Sequence, residues 1–376
     1  MNMPTMHWMI GLLAALLLTS SALADESAPA VETSAPASSQ LPSDLLPTVE
    51  VFRDGDVSFG LGASIQVMAI PLLGEDSLVS NGDPANAEGF RLRRARLGVQ
   101  GMWAENLGME LVLDALDGEE GVHTAKVNWK IHDALRLALG TGKVPYARMA
   151  MDSSSRLRFV DRPVGTGELT PGHRLGFTLE GRCLDGALNY IAGVYNGSEG
   201  LGLGNPNEGI LYGGRLETAP LGAPADLFPT EWRVVLGGGA IYEDGPTTNT
   251  LAYSGDIHIE GPWFRVRGEY LWDARTPEKE PTLPAGSVAE TENEVILAEA
   301  AVFVWPESVE IAVRWERVDI NKDTELFGDQ QILTGGVNWY VRGHHLKVQA
   351  HYLHRDELGA IELDNDAVIL SVLGAL

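Results

Sequence analysis

Most of this chain is written in a two-residue rhythm. In 122–131, Thr124, Lys126, Asn128 and Lys130 share one parity and Ala125, Val127, Trp129 and Ile131 the other. In 262–273, Phe264, Val266, Tyr270 and Trp272 alternate with Arg265, Arg267, Glu269 and Asp273. Val309, Ile311, Val313 and Trp315 oppose Glu310, Arg314 and Glu316 in the same way, and Leu346, Val348, Ala350 and Tyr352 oppose His345, Lys347, Gln349 and His351. Period-two alternation predicts strands with one apolar and one polar face. Sixteen such segments follow from the pattern, at 57–70, 89–101, 106–115, 122–131, 134–142, 172–181, 186–196, 207–217, 231–243, 251–260, 262–274, 293–303, 308–318, 329–341, 343–354 and 365–376.

In a soluble sandwich the apolar face is a core; in a membrane barrel it meets lipid and the polar face lines the lumen. The segments favour the barrel. Many run to about ten or twelve residues, the length of a tilted membrane-crossing strand, whereas sandwich strands are nearer five or six. Trp103, Trp129, Trp232, Tyr242, Trp263, Trp272, Trp315, Trp339, Tyr340 and Tyr352 fall near segment ends, where aromatic girdles belong. Long and short connections also alternate. The exception is 219–230, long where a short turn is expected, which leaves the strand count open by two. The expected fold is therefore all-β: a transmembrane antiparallel β-barrel of about 16 strands.

The rhythm stops at 142–172, GKVPYARMAMDSSSRLRFVDRPVGTGELTPG. A connection this long is functional or disordered. Tyr146, Met149, Met151, Leu157, Phe159 and Val160 need a surface to pack on, so an ordered loop folded back into the lumen is expected. It is the third extracellular loop of the barrel.

The net charge of −25 argues against nucleic acid as a partner. It is unevenly spread: 13 of the 27 Lys and Arg fall between Phe90 and Gly176, against ten acids there, so this stretch is a positive island in an acidic chain. Arg91, Arg93, Arg96, Lys126, Lys130, Arg136, Arg148, Arg156, Arg158 and Arg162 are the candidates for an anion path, since rings of Arg or Lys supply the partners that a dehydrating anion needs. Glu110, Asp114, Glu269 and Glu310 share their lumen phase and would cancel part of the field.

Residues 1–24 read as a secretory signal peptide: Met9 to Leu18 is apolar and Ala22, Leu23 and Ala24 fit a small-x-small cleavage site. Residues 25–50 are acidic and rich in Ser, Ala and Pro, a periplasmic leader, and 51–376 is the barrel. The single Cys183 excludes an internal disulfide. No apolar run of helical-span length follows the signal. The sequence thus points to the bacterial outer membrane, with its lipid as a partner.

No catalytic set assembles, so no enzyme is expected, and no cofactor or metal. Gly140-Thr141-Gly142-Lys143 lacks the spacing of a phosphate loop; 319–330 lacks the Gly and Glu of a calcium loop; His345 and His351 share a strand face but stand too far apart for one metal.

The run GFRLRRARLGV at 89–99 and the loop pattern Gly142-Lys143-Val144-Pro145-Tyr146-Ala147-Arg148, then Ser153-Ser154-Ser155-Arg156-Leu157-Arg158-Phe159-Val160-Asp161-Arg162, resemble the phosphate- and polyphosphate-selective porins of the O/P type. The resemblance implies a trimeric sixteen-stranded barrel with arginines along an anion path. The expected function is an outer-membrane porin passing small hydrophilic solutes by passive diffusion, with a preference for anions that extends to phosphate in the family. The alternative is a plugged structural or receptor barrel without general channel activity.

Overall fold

The computed structural model describes residues 46–104, 106–116, 121–197, 205, 208–218, 231–278, 290–322, 329–359 and 362–376. The expected signal peptide, most of the leader, and the connection 219–230 lie outside the described residues.

Among the described residues seventeen strands follow in order: β1 (Val49–Asp54), β2 (Val57–Leu73), β3 (Gly89–Trp103), β4 (Leu107–Asp114), β5 (Val122–His132), β6 (Leu135–Lys143), β7 (His173–Cys183), β8 (Leu188–Asn196), β9 (Ile210–Thr218), β10 (Arg233–Asp244), β11 (Thr248–Glu260), β12 (Phe264–Pro277), β13 (Thr291–Trp305), β14 (Val309–Asp319), β15 (Gln330–His344), β16 (Leu346–Glu357) and β17 (Ala367–Ala375). From β2 to β17 each pairs antiparallel with the next, and β17 returns to β2 with Leu373 opposite Gln66. The result is a closed sixteen-stranded barrel, with every expected segment present. Closure satisfies every strand edge, as a sheet in hydrocarbon requires.

β1 is a departure from the sequence reading. It straddles the expected boundary at residue 50 and pairs with the first residues of β2, Val49 opposite Leu61, on the edge that β17 vacates. Its six residues are all exposed, so no buried face marked it in the sequence.

The facing follows the alternation. On β14, Glu310, Ala312, Arg314 and Glu316 are buried while Ile311, Val313 and Trp315 are exposed. Exposed Leu, Val and Ile recur around the barrel, and that band is the lipid-facing surface. Aromatics gather near both rims. At the rim of short turns, Trp232 meets Trp263 and Phe264 edge-on; nearer the other, Tyr253 stacks on Trp272 at 4.7 Å. Tyr340 is a correction: it is buried, and its hydroxyl donates to Glu310 at 2.8 Å instead of joining the girdle.

The buried faces are not uniformly polar. Leu211, Ile241, Leu271, Val295, Leu297 and Val318, from β9 to β14, point to the same side as their charged neighbours. Here the strands are apolar on both faces, because the buried face also packs against a loop. The loop 144–172 packs on it: Val144, Tyr146, Ala147, Met149 and Leu169 form one apolar cluster with these residues, and Val160 forms another with Met68, Ile70, Leu353 and Ile369.

Candidate functional site

The loop leaves β6 through Val144 and Pro145 and is fastened at once by Tyr146. The ring is fully buried. Its hydroxyl lies 3.0 Å from the carbonyl of Tyr253 and 3.1 Å from that of Trp272. Its own carbonyl accepts from Arg215 at 3.1 Å and Ser254 at 2.9 Å. β10 can approach this closely only because residue 239 is Gly; a Cβ there would collide with the Tyr146 carbonyl. The short helix Arg148–Met151 follows, and the free N–H groups at its start find Glu269, whose carboxylate accepts from Arg148 and, at 3.1 Å, from Met149. Orphan helix donors are thus satisfied from a strand instead of by a local cap.

Charge pairs fix the rest of the loop to strands far away in sequence. Arg158 is wedged between Glu299 at 3.1 Å and Glu310 at 3.2 Å, all three nearly solvent-free. The carbonyls on either side accept from Lys347, to Leu157 at 2.6 Å, and Gln349, to Arg158 at 2.8 Å. Asp161 holds Arg93 at 2.8 Å and Arg94 at 3.1 Å. Burial pushes its carboxyl up, but the two guanidinium groups outweigh that and hold it below the ordinary aspartate range. Asp152 is also depressed: burial opposes the shift, and Arg267, at 2.6 Å, and Arg148, at 3.3 Å, override it. A second short helix, Val164–Leu169, closes the loop, with the Gly165 N–H donating to Glu316 at 3.3 Å.

The sequence-derived candidates fall into four groups. Arg96, Lys126 and Arg136 stand on the walls of β3, β5 and β6, each with a carboxylate: Asp114 at 2.6 Å, Glu110 at 3.1 Å and Glu180 at 3.2 Å. Arg96 also donates to Ser154 of the loop at 2.6 Å. Arg93, Arg148, Arg158 and Arg162 are tied into the loop and its anchorage; Arg148 pairs with Glu217 at 3.0 Å, and Arg162 donates to the carbonyls of Met149 and Asp152. Arg156 is exposed and has no side-chain partner among the described residues. Two candidates stand at the rims: Lys130 pairs with Asp133 in the tight β5–β6 turn at 2.6 Å, and Arg91 donates to the carbonyls of Pro84 and Ala87 in the β2–β3 connection.

The structure adds cations that the sequence reading did not single out: Arg94, Arg215, Arg267, Arg314 and Lys347. The last four lie outside the basic island but sit on the polar phase of β9, β12, β14 and β16, and that phase was the available signal. Arg314 stacks over Phe159 at 4.6 Å and donates to the Asp161 carbonyl at 3.0 Å. Arg265, also on that phase, is buried over the Phe303 ring at 5.5 Å.

The family model for phosphate-selective porins O and P matches residues 76–248 and 308–369. No curated protein is similar in sequence. Among solved structures, the anion-selective porin from Comamonas acidovorans superposes with a TM-score of 0.60 at 12% identity, covering 85% of this chain and 100% of its own. The outer-membrane OmpT of Vibrio cholerae gives 0.58 at 11%, covering 86% and 99%, and a further structure of that protein is described as a trimer form. Salmonella typhi OmpF, in a complex with daunomycin, gives 0.54 at 12%, covering 87% and 100%. At such identities the likeness is one of fold.

Proposed function

The chain belongs to the phosphate-selective porin O and P family and is an outer-membrane porin, and from that premise we propose that it is an anion-preferring pore whose constriction is the loop 144–172 folded into the lumen. The loop's partners Arg94 and Arg96 on β3, Arg215 on β9, Ser254 on β11, Glu269 on β12, Glu299 on β13, Glu310 on β14 and Lys347 on β16 support the placement: all are buried residues of a closed barrel, on the phase opposite the lipid-facing band. The anion path runs along Arg96, Lys126, Arg136 and Arg148, with Arg156 at the loop's tip. Signal-peptide cleavage after Ala24 and assembly as a homotrimer belong to the same reading.

One observation carries the anion preference. In each of these pairs the cation is more exposed than its carboxylate: side-chain exposure is 9% against 5% for Arg96 and Asp114, 17% against 3% for Lys126 and Glu110, 20% against 14% for Arg136 and Glu180, and 25% against 16% for Arg148 and Glu217. The carboxylates neutralise the wall from behind, and a passing ion meets the guanidinium and ammonium groups first. Arginine's planar fork also suits oxyanions. The preference is moderate, since a partner within hydrogen-bond reach cancels much of each field beyond a Debye length of ~8 Å.

Purified protein in planar bilayers under a salt gradient tests this. The expected result is ohmic conductance with a reversal potential on the anion side. A cation-side potential overturns the anion path. A barrel that inserts without conducting overturns the pore and favours the plugged alternative.

A further inference from the structure

Three residues ahead of β1 lie where a strand leader has no need to be. On β2, Ser64 and Gln66 are buried while Leu61, Ile65 and Val67 are exposed, so Gly60 and Gly62 share the inward phase. On β3, Arg94, Arg96 and Gly98 are buried and Leu97 is exposed, so Gly98 faces the same way. Leu46, Pro47 and Thr48 cover this glycine platform. A Cβ at Gly60 would stand 3.1 Å from the Thr48 Cβ; one at Gly62 would stand 2.5 Å from the Pro47 carbonyl and 3.0 Å from the Leu46 Cβ; one at Gly98 would stand 3.3 Å from the Leu46 Cδ1. Leu46 is 5% exposed, and Val112, on the inward phase of β4, comes within the same reach of Gly98. The Thr48 hydroxyl donates to Gln100 at 3.3 Å.

Glycine on three neighbouring inward positions is costly in a strand, which loses packing and gains backbone entropy when unfolded. Here the three vacancies are filled by other residues of the chain. β1 runs antiparallel to β2, so tracing the chain back from Val49 leads along β2 toward Gly62, further into the barrel and away from its rim.

We propose that residues 46–48 are a second constriction element, an N-terminal strap seated on the luminal wall of β2–β4. The proposal rests on the pore reading above and deepens it. The strap lies on β2 and β3 beside Val112 of β4, and the loop is tied to β3, β9, β11–β14 and β16. The wall left to the solute is β5–β7, where Lys126 and Arg136 stand with Glu110 and Glu180 behind them. Size selection and charge selection then belong to different parts of the chain: the strap and the loop set the width, and the β5–β7 wall sets the sign.

The test uses two variants that remove the strap in different ways. Deletion of residues 25–48 behind an intact signal removes it outright. Gly62→Val leaves the N-terminal sequence unchanged and fills its seat. Both are expected to raise single-channel conductance and to admit larger neutral polyethylene glycols than the parent, while the reversal potential stays on the anion side. Should Gly62→Val fail to reach the heat-modifiable folded form, Thr48→Cys with Gly60→Cys in a Cys183→Ser background supplies an independent reading. A Cβ at residue 60 stands 3.5 Å from the nearest backbone atom, the Val49 carbonyl, and 3.1 Å from the Thr48 Cβ, a few tenths short of disulfide geometry near ~3.5–4.5 Å, so the bond forms on mild oxidation and the oxidised channel keeps the parent's size limit. Folded variants with unchanged conductance and unchanged size limit, or folded double-cysteine barrels that never cross-link, overturn the strap and leave the pore reading standing. A parent that passes no current overturns both.

Discussion

Arg94 stands 3.1 Å from Asp161, and a bulge in β3 is what puts it there. Gln66 of β2 faces Arg94 and the next residue, Val67, faces Leu92, so Arg93 is an inserted residue. The insertion flips the phase of the strand. Strict alternation would send Arg93 and Arg94 to opposite faces, one of them into lipid; the bulge lets both reach the same carboxylate.

Asp161→Ala tests this junction. Arg94 is 5% exposed and would keep only Gln66 and the Val160 carbonyl as partners. Losing one member of a buried charged hydrogen-bond set costs about 1–3 kcal/mol. The expected result is a lower unfolding midpoint in detergent, with the loop open to trypsin in an otherwise folded barrel. Protease resistance equal to the parent's would show that the loop does not depend on this junction.

The lipid-facing assignment predicts a different penalty. Val313 is 44% exposed in the middle of β14, between buried Ala312 and Arg314. Val313→Arg places a charge in hydrocarbon and should cost about 2–4 kcal/mol near the midplane. Equilibrium refolding into lipid vesicles measures it. A cost below about 1 kcal/mol, the value typical of the interface, would move Val313 out of the membrane's middle.

Acid should release the loop only at low pH. Asp161 and Asp152 have folded-state pKa values below those of the unfolded chain, because their arginine partners outweigh burial. The unfolded state therefore takes up protons first, near the ordinary aspartate value of ~3.9. The stabilisation these groups give is complete above that value and is lost as pH falls through the depressed folded values. Conductance and trypsin resistance should hold from neutral pH to about 4.5 and change below about 3.9. A transition between pH 5 and 7 would assign the anchorage to other groups.

The sixteen barrel strands were legible because lipid and lumen impose opposite demands on alternate residues. Val266 and Arg267 could hardly share a face in any stable arrangement. The loop stood out because its apolar residues need a surface to pack on, and Tyr146 and Met149 cluster with Leu271 and Val295. What the alternation hid has physical causes. Tyr340 reads as a girdle residue by type and position, yet its hydroxyl has a buried carboxylate to bond. Leu271 and Val295 break the polar phase because they support Tyr146 and its neighbours, a contact between segments far apart in sequence. Arg158 was legible as a cation but not as a paired one, since Glu299 and Glu310 come from strands about 140 and 150 residues away. The bulge at Arg93 left no mark beyond two consecutive arginines.

The last prediction separates cations that the solute meets from cations that hold the loop. Lys126 and Arg136 are 17% and 20% exposed on the wall. Arg158 is 3% exposed and shares two carboxylates. Lys126→Gln with Arg136→Gln leaves Glu110 and Glu180 without their cations, so the wall turns from nearly neutral to negative. The reversal potential should move toward cations. The shift should be larger in 0.1 M than in 1 M salt, because the Debye length falls from ~10 Å to ~3 Å. Arg158→Gln acts by another route. It leaves Glu310 only the neutral donors Asn338 and Tyr340 and leaves Glu299 the more distant Arg267 and Arg314, at 3.9 and 4.0 Å, in a nearly solvent-free site, and breaking a buried pair costs about 3–5 kcal/mol. Its first effect should be on stability and on the noise of the open channel as the loop loosens, with any change in selectivity secondary. Bilayer recordings on both variants, with unfolding midpoints beside them, decide the matter. A double Gln variant that keeps the parent's reversal potential at low salt would place the ion path away from β5 and β6. An Arg158→Gln variant with parental stability and a large selectivity shift would move Arg158 from the scaffold into the path.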